Sequence, residues 1–495
     1  MDENKKQALL DKLTYIVTNT SDLSLFNTAN PPTMKLWVGD RGVCLIGEAL
    51  EEYYAVCNML QGETEWRNKF SEDYIDKHAK QLLNSVLNDG NADKAHEYLA
   101  TIIADLDAYT AVHTLFLPVD GIEMHIDTLK LGEITLINMR GKQVEVFEKD
   151  FESRIMQHPT TQEGKEQSLK FWRKHALPFL RNNTVAVYTV TAEPTKAQER
   201  AEAEWYQIAL ILRYFIFQAY QKRMHISIGL RGDVRFGVGE AVIVELPCET
   251  CQTIRTSKSP QPLKIDQEIN NAMEDVGVFA LVDMLDARNK TDFSDTLLTG
   301  VYWVANALIQ DDPANEYLSL VSCLETFLTP GRKDIGTIRN AVAVGVSWVL
   351  GRNTEDRLSL YREVGTLYNK RSEITHGGEQ REIAKLLPKL RDIVGAFIHE
   401  MVKRREEFKK GGKHALHRWI DEGPMRMAQI SNQESRELIQ ALANSQTYID
   451  EFDMMRCPYC NLQVEHRDNE AEEYKHDADC LVVRARKWME MNSGN

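Results

Sequence analysis

The chain has 495 residues, of which 43% are hydrophobic and 27% charged, a composition that excludes a wholly disordered or fibrous protein. At roughly 100–200 residues per domain, this length predicts about two to four domains. Its 59 basic and 74 acidic residues give a net charge of -15, which argues against unspecific coating of nucleic acid. The longest nearly apolar run, Ala341 to Gly351, is about half of what a bilayer-spanning helix needs, and the first residues lack the apolar core of a signal peptide. We therefore expect a soluble cytoplasmic protein without membrane contact.

The N-terminal 300 residues contain stretches with the hydrophobic periodicity of helices and stretches with that of strands. Residues 1–110 show mostly helical spacing, and from about Val112 the period changes to two, in stretches that predict a small antiparallel meander. Asn183 to Thr191 predicts a further strand, Pro194 precedes a long helix, and more strands follow. We interpret 1–300 as an α+β region with subdomains near 1–110 and 111–267, and as a candidate sensor without a recognisable catalytic signature.

The pattern becomes helical after Glu268. Helices are predicted over residues 293–310, 313–329, 334–350, 355–376 and 379–410, and short connections between them indicate a bundle at 301–412. The segment from Val301 to Lys413 has 18 basic and 15 acidic residues, so its net charge is positive whereas that of the whole chain is negative. A spacer at 413–454, helical over 431–452, leads to a compact piece at 455–490. The predicted fold class is therefore multidomain α+β with an all-α bundle and a small C-terminal finger.

The C-terminal piece carries a metal-ligand pattern. Cys457, Cys460, His476 and Cys480 have the spacing C-x2-C-x15-H-x3-C, which suits tetrahedral zinc. A tight hairpin would aim the first two thiolates at one point, while His476 and Cys480 lie one helical turn apart on the same face. Four ligands leave no open position, so we expect structural zinc in a ββα finger of C2HC type. Its helix carries basic residues that fit either nucleic-acid contact or an ordinary solvated helix end: Arg484, Arg486 and Lys487. Cys248 and Cys251 form another C-x-x-C without a second ligand pair nearby, and spare thiols at a strand end are the better interpretation.

The second informative stretch contains Arg371 and His376. It closes an amphipathic helix, and Gly377-Gly378 suit a left-handed helix cap. The negative end of the helix dipole favours imidazolium at His376 while Arg371 opposes it, so a pKa near neutrality is expected. An Arg–His pair without a carboxylate cluster disfavours a two-metal nuclease. Residues five apart point about 140° apart on a straight helix, so two chains related by a two-fold axis would bring the pair together more simply than one.

This stretch resembles the HEPN superfamily, and within it the ApeA-like branch of bacterial anti-phage defence. The similarity rests on SLVSCLETFL (Ser319 to Leu328) and LSLYREVGTLYNKRSEITHGG (Leu358 to Gly378), is specific over about 300–410, and is weaker at Phe116 to Leu136. It implies a metal-independent endoribonuclease with a site composed across a dimer. Arg371 would hold the scissile phosphate, and His376 would assist attack by the 2′-hydroxyl or protonate the leaving oxygen.

The resemblance also implies supporting residues and partners. Glu325 would orient Arg371, and Ser372 occupies the polar position after the motif arginine. Arg357, Arg362 and Lys370 are candidate RNA ligands, although basic residues on helices are more often simply solvated. The implied partners are an RNA substrate, a second copy of the chain (or a larger even-numbered assembly) and a phage-encoded trigger or inhibitor. No catalytic metal is expected.

Two other functional classes remain open at the level of sequence. One is a noncatalytic dimeric regulator that binds nucleic acid through its finger, and the other is a toxin held by a partner antitoxin. The sequence contains no G-x-S-x-G, P-loop or H-E-x-x-H motif, which removes the common hydrolase signatures. The residues alone do not separate the open classes.

Overall fold

The computed structural model of the protein describes residues 1–22, 34–38, 41–89, 94–140, 142–157, 161–220, 226–231, 239–245, 250–256, 261–329, 337–375, 380–423, 448–449, 455–456 and 463–464. The chain divides into two compact units, one of Met1–Leu117 with Ala186–Trp205 and one of Pro118–Val185 with Tyr206–Asn495. Most of the described residues are helical and the rest include short antiparallel sheets, so the protein is a mixed α+β structure. Among these residues, no helix combines the length and apolar character needed to cross a bilayer.

The helices are, in chain order, α1 (Glu3–Thr18), α2 (Glu48–Gln61), α3 (Thr64–Lys69), α4 (Glu72–Asp89), α5 (Ala95–Asp107), α6 (Lys142–Gln157), α7 (Gln162–Phe171), α8 (Leu177–Leu180), α9 (Pro194–Tyr220), α10 (Gln267–Val276), α11 (Val278–Asp283), α12 (Asp292–Ile309), α13 (Pro313–Leu328), α14 (Ile338–Leu350), α15 (Thr354–Thr375), α16 (Gln380–Lys403), α17 (Arg405–Phe408) and α18 (Gly412–Asp421). A π-helical turn, Trp172–Ala176, joins α7 to α8. Helices α12, α13 and α15 match the predicted segments to within one residue at each end, and α13 begins at a readable cap, Asp312 before Pro313. Two predictions need correction: α14 begins at Ile338 rather than at 334, and the segment predicted over 379–410 ends as α16 at Lys403 and is followed by the separate short helix α17.

The strands are β1 (Ser21–Asp22), β2 (Met34–Val38), β3 (Arg41–Leu45), β4 (Val112–Asp120), β5 (Ile122–Met124), β6 (Thr128–Leu131), β7 (Ile134–Asn138), β8 (Thr184–Thr191), β9 (Gly229–Leu230), β10 (Gly239–Glu245), β11 (Thr250–Thr256), β12 (Leu263–Ile265), β13 (Tyr448–Ile449), β14 (Met455–Arg456) and β15 (Gln463–Val464). The largest sheet has the order β6-β7-β8-β4-β9.

The predicted meander is wrong in its pairing. Strands β6 and β7 form an antiparallel hairpin, but β8 lies between β7 and β4, and β5 leaves the sheet to pair in parallel with β12. Alternating polarity identifies which residues form a strand and which face is buried, and it carries no information about a partner more than a hundred residues away.

The first unit is built around a helical core. Helices α1, α2, α4 and α5 pack together, and their contact is filled by apolar side chains such as Leu9, Leu13 and Leu82, all of them buried. Trp66 is buried in the same core, and its ring N–H donates to a carboxylate oxygen of Asp107 at 2.7 Å. The cysteine of this core, Cys57, is a buried free thiol.

The C-terminal helices of the second unit form a bundle around α13. This helix contacts α12, α14, α15 and α16, and its Cys323 is fully buried. Phe327 of α13 meets Phe397 edge to face, with ring centroids 5.5 Å apart. Glycines allow close approach: a Cβ at Gly345 would lie 2.4 Å from a methyl carbon of Leu328. Tight helix contacts thus hold α13 at the centre of the bundle.

Helix α13 is tied to its neighbours by polar contacts as well. The guanidinium of Arg391 on α16 donates two hydrogen bonds to the carboxylate of Glu316, from Nε to Oε1 at 2.6 Å and from Nη2 to Oε2 at 3.0 Å. The side chains are 19% and 3% exposed respectively, so this is a buried, bidentate ion pair. At the other end of α13, the Nε2 of His417 lies 2.8 Å from the carbonyl oxygen of Phe327.

The structure describes only the two ends of the predicted spacer, residues 413–423 and 448–449. Helix α18 occupies its beginning, whereas Tyr448–Ile449, placed by the sequence in a helix, form strand β13 and pair with β14. The prediction failed there because the pairing partner lies in the adjoining C-terminal piece, and tertiary pairing overrides local helical preference.

Candidate functional site

Helix α15 places Arg371 near the C-terminal end of a well-anchored element. Asn353 begins the helix, its side-chain oxygen accepting from the backbone N–H of Asp356 at 2.9 Å. The hydroxyl of Tyr317 on α13 donates to the carbonyl oxygen of Leu367 at 2.6 Å, one turn before Arg371. These contacts fix the rotation of α15, so Arg371 faces α13.

Arg371 lies against Glu325 of α13. Its Nη2 donates to Oε2 at 3.2 Å, and its Nε lies 3.1 Å from Oε1, within ion-pair distance but without the angle of a hydrogen bond. The Arg371 side chain is 35% exposed and that of Glu325 18%, so solvent reaches the arginine while the glutamate is largely covered. A cation held in one orientation at the surface of a bundle can receive an anionic ligand without first being ordered.

Tyr368 completes this group, which we call the Arg371 cluster (Glu325, Tyr368 and Arg371). Its hydroxyl donates to Oε1 of Glu325 at 2.5 Å, and the Arg371 guanidinium carbon lies 5.9 Å from the centre of the Tyr368 ring. Burial, followed by the neighbouring Glu325, raises the pKa of Tyr368, so the hydroxyl stays protonated and acts as a donor. Glu325 thus accepts from both Tyr368 and Arg371, and the hydrogen bond from Tyr368 holds the carboxylate in the position where it faces the arginine.

The role of Tyr368 was missed in the sequence, although a signal existed. It lies three residues before Arg371 on the same helix face, where side chains meet. Its contact with Glu325, 43 residues earlier, depends on the packing of α15 against α13 and has no local signature.

The candidate RNA ligands are spread along α15, from Arg357 in its first turn to Lys370 next to Arg371. The guanidinium carbon of Arg357 stacks over the ring of Trp348 at 4.5 Å, and Arg362 is exposed on another part of α15. Lys370 pairs with Glu373 at 2.5 Å and its side chain is only 13% exposed. Ser372 is exposed. The structure assigns local partners to Arg357 and Lys370, and contact of these residues with RNA stays a prediction.

His376 follows the last residue of α15, Thr375, and lies outside the described residues with Gly377 and Gly378. Its convergence with Arg371 therefore stays a prediction.

The four predicted zinc ligands also lie outside the described residues, as does Cys248. Strand β14 ends one residue before Cys457, and it pairs antiparallel with β15, which begins after Cys460. Antiparallel strands on both sides of a C-x2-C suit the hairpin that a zinc finger of this type requires. Within the described residues, no cluster of three or more histidine, cysteine or acidic side chains is arranged to hold a metal.

No family model, curated protein or solved structure matches this chain.

Proposed function

We propose that the protein is a metal-independent endoribonuclease of HEPN type, with Arg371 and His376 as its catalytic pair. One observation carries the proposal: Arg371 is oriented by Glu325 and remains partly exposed to solvent at the end of α15, immediately before the predicted catalytic histidine. The other Arg–Glu pair on α13, Arg391 with Glu316, differs in exposure: both of its side chains are more deeply buried than those of Arg371 and Glu325.

The chemistry divides between the two side chains. The 2′-oxygen of a ribose attacks the adjacent phosphorus and the bond from phosphorus to the 5′-oxygen breaks, which leaves a 2′,3′-cyclic phosphate and a 5′-hydroxyl. The Arg371 guanidinium would bind the phosphate and stabilise its developing charge. The His376 imidazole would accept the 2′-hydroxyl proton or deliver one to the departing 5′-oxygen. Glu325 and Tyr368 are positioning residues that act through Arg371.

Two copies of the chain would form the proposed site more simply than one. Positions 371 and 376 point about 140° apart on a regular helix, so one copy would supply the arginine and the other the histidine of each site. We therefore include a homodimer, or a larger even-numbered assembly, in the proposal. The finger formed by Cys457, Cys460, His476 and Cys480 would bind zinc, which would stabilise this small piece without taking part in cleavage.

The biological role proposed is abortive infection, in which cytoplasmic RNA cleavage stops growth of a phage-infected cell. This part rests on the resemblance at 300–410. Residues 1–300 would sense a phage-encoded trigger.

The test is cleavage of RNA by the purified protein in the presence of EDTA, followed by sequencing and end-group analysis of the products. We expect cyclic-phosphate and 5′-hydroxyl ends, and a loss of rate of about 100-fold or more in Arg371→Ala and in His376→Ala. Arg288→Ala is the matched control, since Arg288 also pairs with a carboxylate, that of Asp286, but lies outside the bundle helices. Cleavage that needs magnesium, or that survives in folded His376→Ala, would rule the proposal out.

Mixing the two inactive variants tests the composite site separately. A mixed dimer of Arg371→Ala with His376→Ala contains one site with both residues intact and one with neither. Random exchange of subunits would make about half of the dimers mixed, so about a quarter of wild-type activity should return. If each site lay within one copy, mixing would restore nothing.

A further inference from the structure

A helical hairpin inserted between β7 and β8 exposes an unusual set of side chains. It comprises α6, α7, the π-helical turn and α8. Trp172 anchors the turn, because it is buried and stacked on Phe151 of α6 with ring centroids 3.9 Å apart. Helix α7 itself buries no residue. The hairpin therefore displays most of its second arm to solvent.

The π-helical turn decides which side chains are displayed. Each residue of a π turn advances by about 80° rather than about 100°, so Trp172 and Leu177, five residues apart, stay on one buried side. On the opposite side, Phe171 is 64% and Phe179 53% exposed. His175 lies between them and is exposed, with its ring 5.3 Å from that of Phe171. Phe171, His175 and Phe179 form what we call the aromatic strip.

Positive charge accompanies the aromatic strip. Lys170 and Lys174 precede Phe171 and His175 by one residue each, both are exposed, and within the described part of the chain neither has an ion-pair partner. Arg173, by contrast, is bound bidentately by Glu152 at 2.7 and 2.8 Å. A shallow open cleft of about 430 Å³ adjoins the two lysines, lined by Glu166, Leu169, Lys170, Arg173 and Lys174.

We propose that the aromatic strip and its two lysines bind single-stranded nucleic acid, with bases stacking on the rings and phosphates contacting Lys170 and Lys174. Aromatic faces interleaved with unpaired cations are the means by which single strands are bound without sequence preference, because every base has a π face. A second copy of the chain is a poorer occupant, since a two-fold contact would bring four lysines together. The proposal deepens the proposed function by giving its RNA substrate a docking surface, yet binding here does not depend on cleavage.

The experiment measures fluorescence anisotropy of a labelled 12-nucleotide 2′-O-methyl oligouridine with the full-length wild-type protein. This probe lacks the 2′-hydroxyl nucleophile, so it is not consumed even by an active nuclease. We expect Phe171→Ala/Phe179→Ala to weaken binding by about tenfold or more, since each stacked base contributes at least a fewfold in affinity. Lys170→Ala/Lys174→Ala should weaken it too, and should lower the steepness of the salt dependence by about 1.4 in log–log slope.

Matched controls are Tyr54→Ala, which removes an exposed ring that is 55% accessible, and Lys130→Ala, which removes an exposed lysine. Both should bind as the wild type does. Failure of the wild-type protein to bind the probe would overturn the proposal, as would unchanged binding by both double variants. A change in oligomeric state in Phe171→Ala/Phe179→Ala with unchanged affinity would assign the strip to self-association and overturn it as well. Cleavage of natural RNA is scored independently, so a failed docking surface and a failed nuclease assignment give different results.

Discussion

Replacing Arg391 by methionine would leave the carboxylate of Glu316 buried without the guanidinium that neutralises it. The Glu316 side chain is 3% exposed, and its two carboxylate oxygens accept from that one arginine at 2.6 and 3.0 Å. Methionine has similar length and fills the space, so the change isolates the charge. Loss of one partner from a buried pair costs about 3–5 kcal/mol in free energy of unfolding.

The same substitution at Arg371 should have a much smaller effect on stability. Arg371 is 35% exposed and its partner Glu325 18%, so solvent screens the pair and its contribution is about 1 kcal/mol or less. Both glutamates lie on α13 and both arginines on helices packed against it, which makes Arg371→Met the matched control for Arg391→Met. We expect the melting temperature to fall on the order of 10 °C in Arg391→Met and by only a few degrees in Arg371→Met.

Differential scanning calorimetry of the two variants, with guanidinium unfolding as a second measure, would check these values. The double variant Glu316→Met/Arg391→Met should recover most of the lost stability, because an apolar replacement of a buried pair removes its desolvation cost. A melting temperature for Arg391→Met within about two degrees of the wild type would refute the reasoning, as would a double variant less stable than Arg391→Met.

Three further predictions concern the bundle and the finger. Gly345→Ala would place a Cβ 2.4 Å from a methyl of Leu328 and should cost about 1–3 kcal/mol in unfolding free energy, measured by denaturant titration. Burial lowers the pKa of His417, so the unfolded chain binds more protons below about pH 6.5 and stability should fall as the pH drops through that value. His417→Gln, which keeps a donor for the Phe327 carbonyl, should reduce that loss between pH 7.5 and 5.5. Cys480→Ser should lower the zinc content of the purified protein, measured by plasma mass spectrometry.

Each of these has a result that would contradict it. The control for Gly345→Ala is Gly395→Ala, because a Cβ at position 395 would have its nearest neighbour at 3.4 Å. If the two variants were equally stable, the α13–α14 contact would accommodate the added methyl group without cost. An unchanged acid response in His417→Gln would assign that response to other groups. Full zinc occupancy in both Cys480→Ser and His476→Ala would remove the proposed ligand set.

Local signals in the sequence located the bundle helices well. Pro313 at the first turn of α13 and Gly351 between α14 and α15 mark helix ends by backbone chemistry that acts within a few residues. In α13, Leu320, Leu324 and Phe327 have the spacing of one helix face, and all three are buried.

Contacts between distant segments could not be predicted from the same signals. The position of β8 between β7 and β4, and the parallel pair β5–β12, depend on how the whole chain packs. In the Arg371 cluster, the sequence named Arg371 and Glu325 only through a family resemblance. Tyr368 and the partly buried Arg391 had no such guide, because a tyrosine or an arginine on a helix is ordinarily taken for a surface residue until its neighbours are known.

The burial of Cys323 makes the alkylation rate of this thiol a measure of how often the bundle opens. Complete burial raises the pKa of this thiol, so as long as α13 stays enclosed there is neither thiolate nor access for an alkylating reagent. Site-resolved mass spectrometry of its labelling over time would report how often the centre of the bundle opens. Conditions that stabilise the bundle would slow that reaction, and conditions that loosen it would speed the reaction up, without any engineered probe.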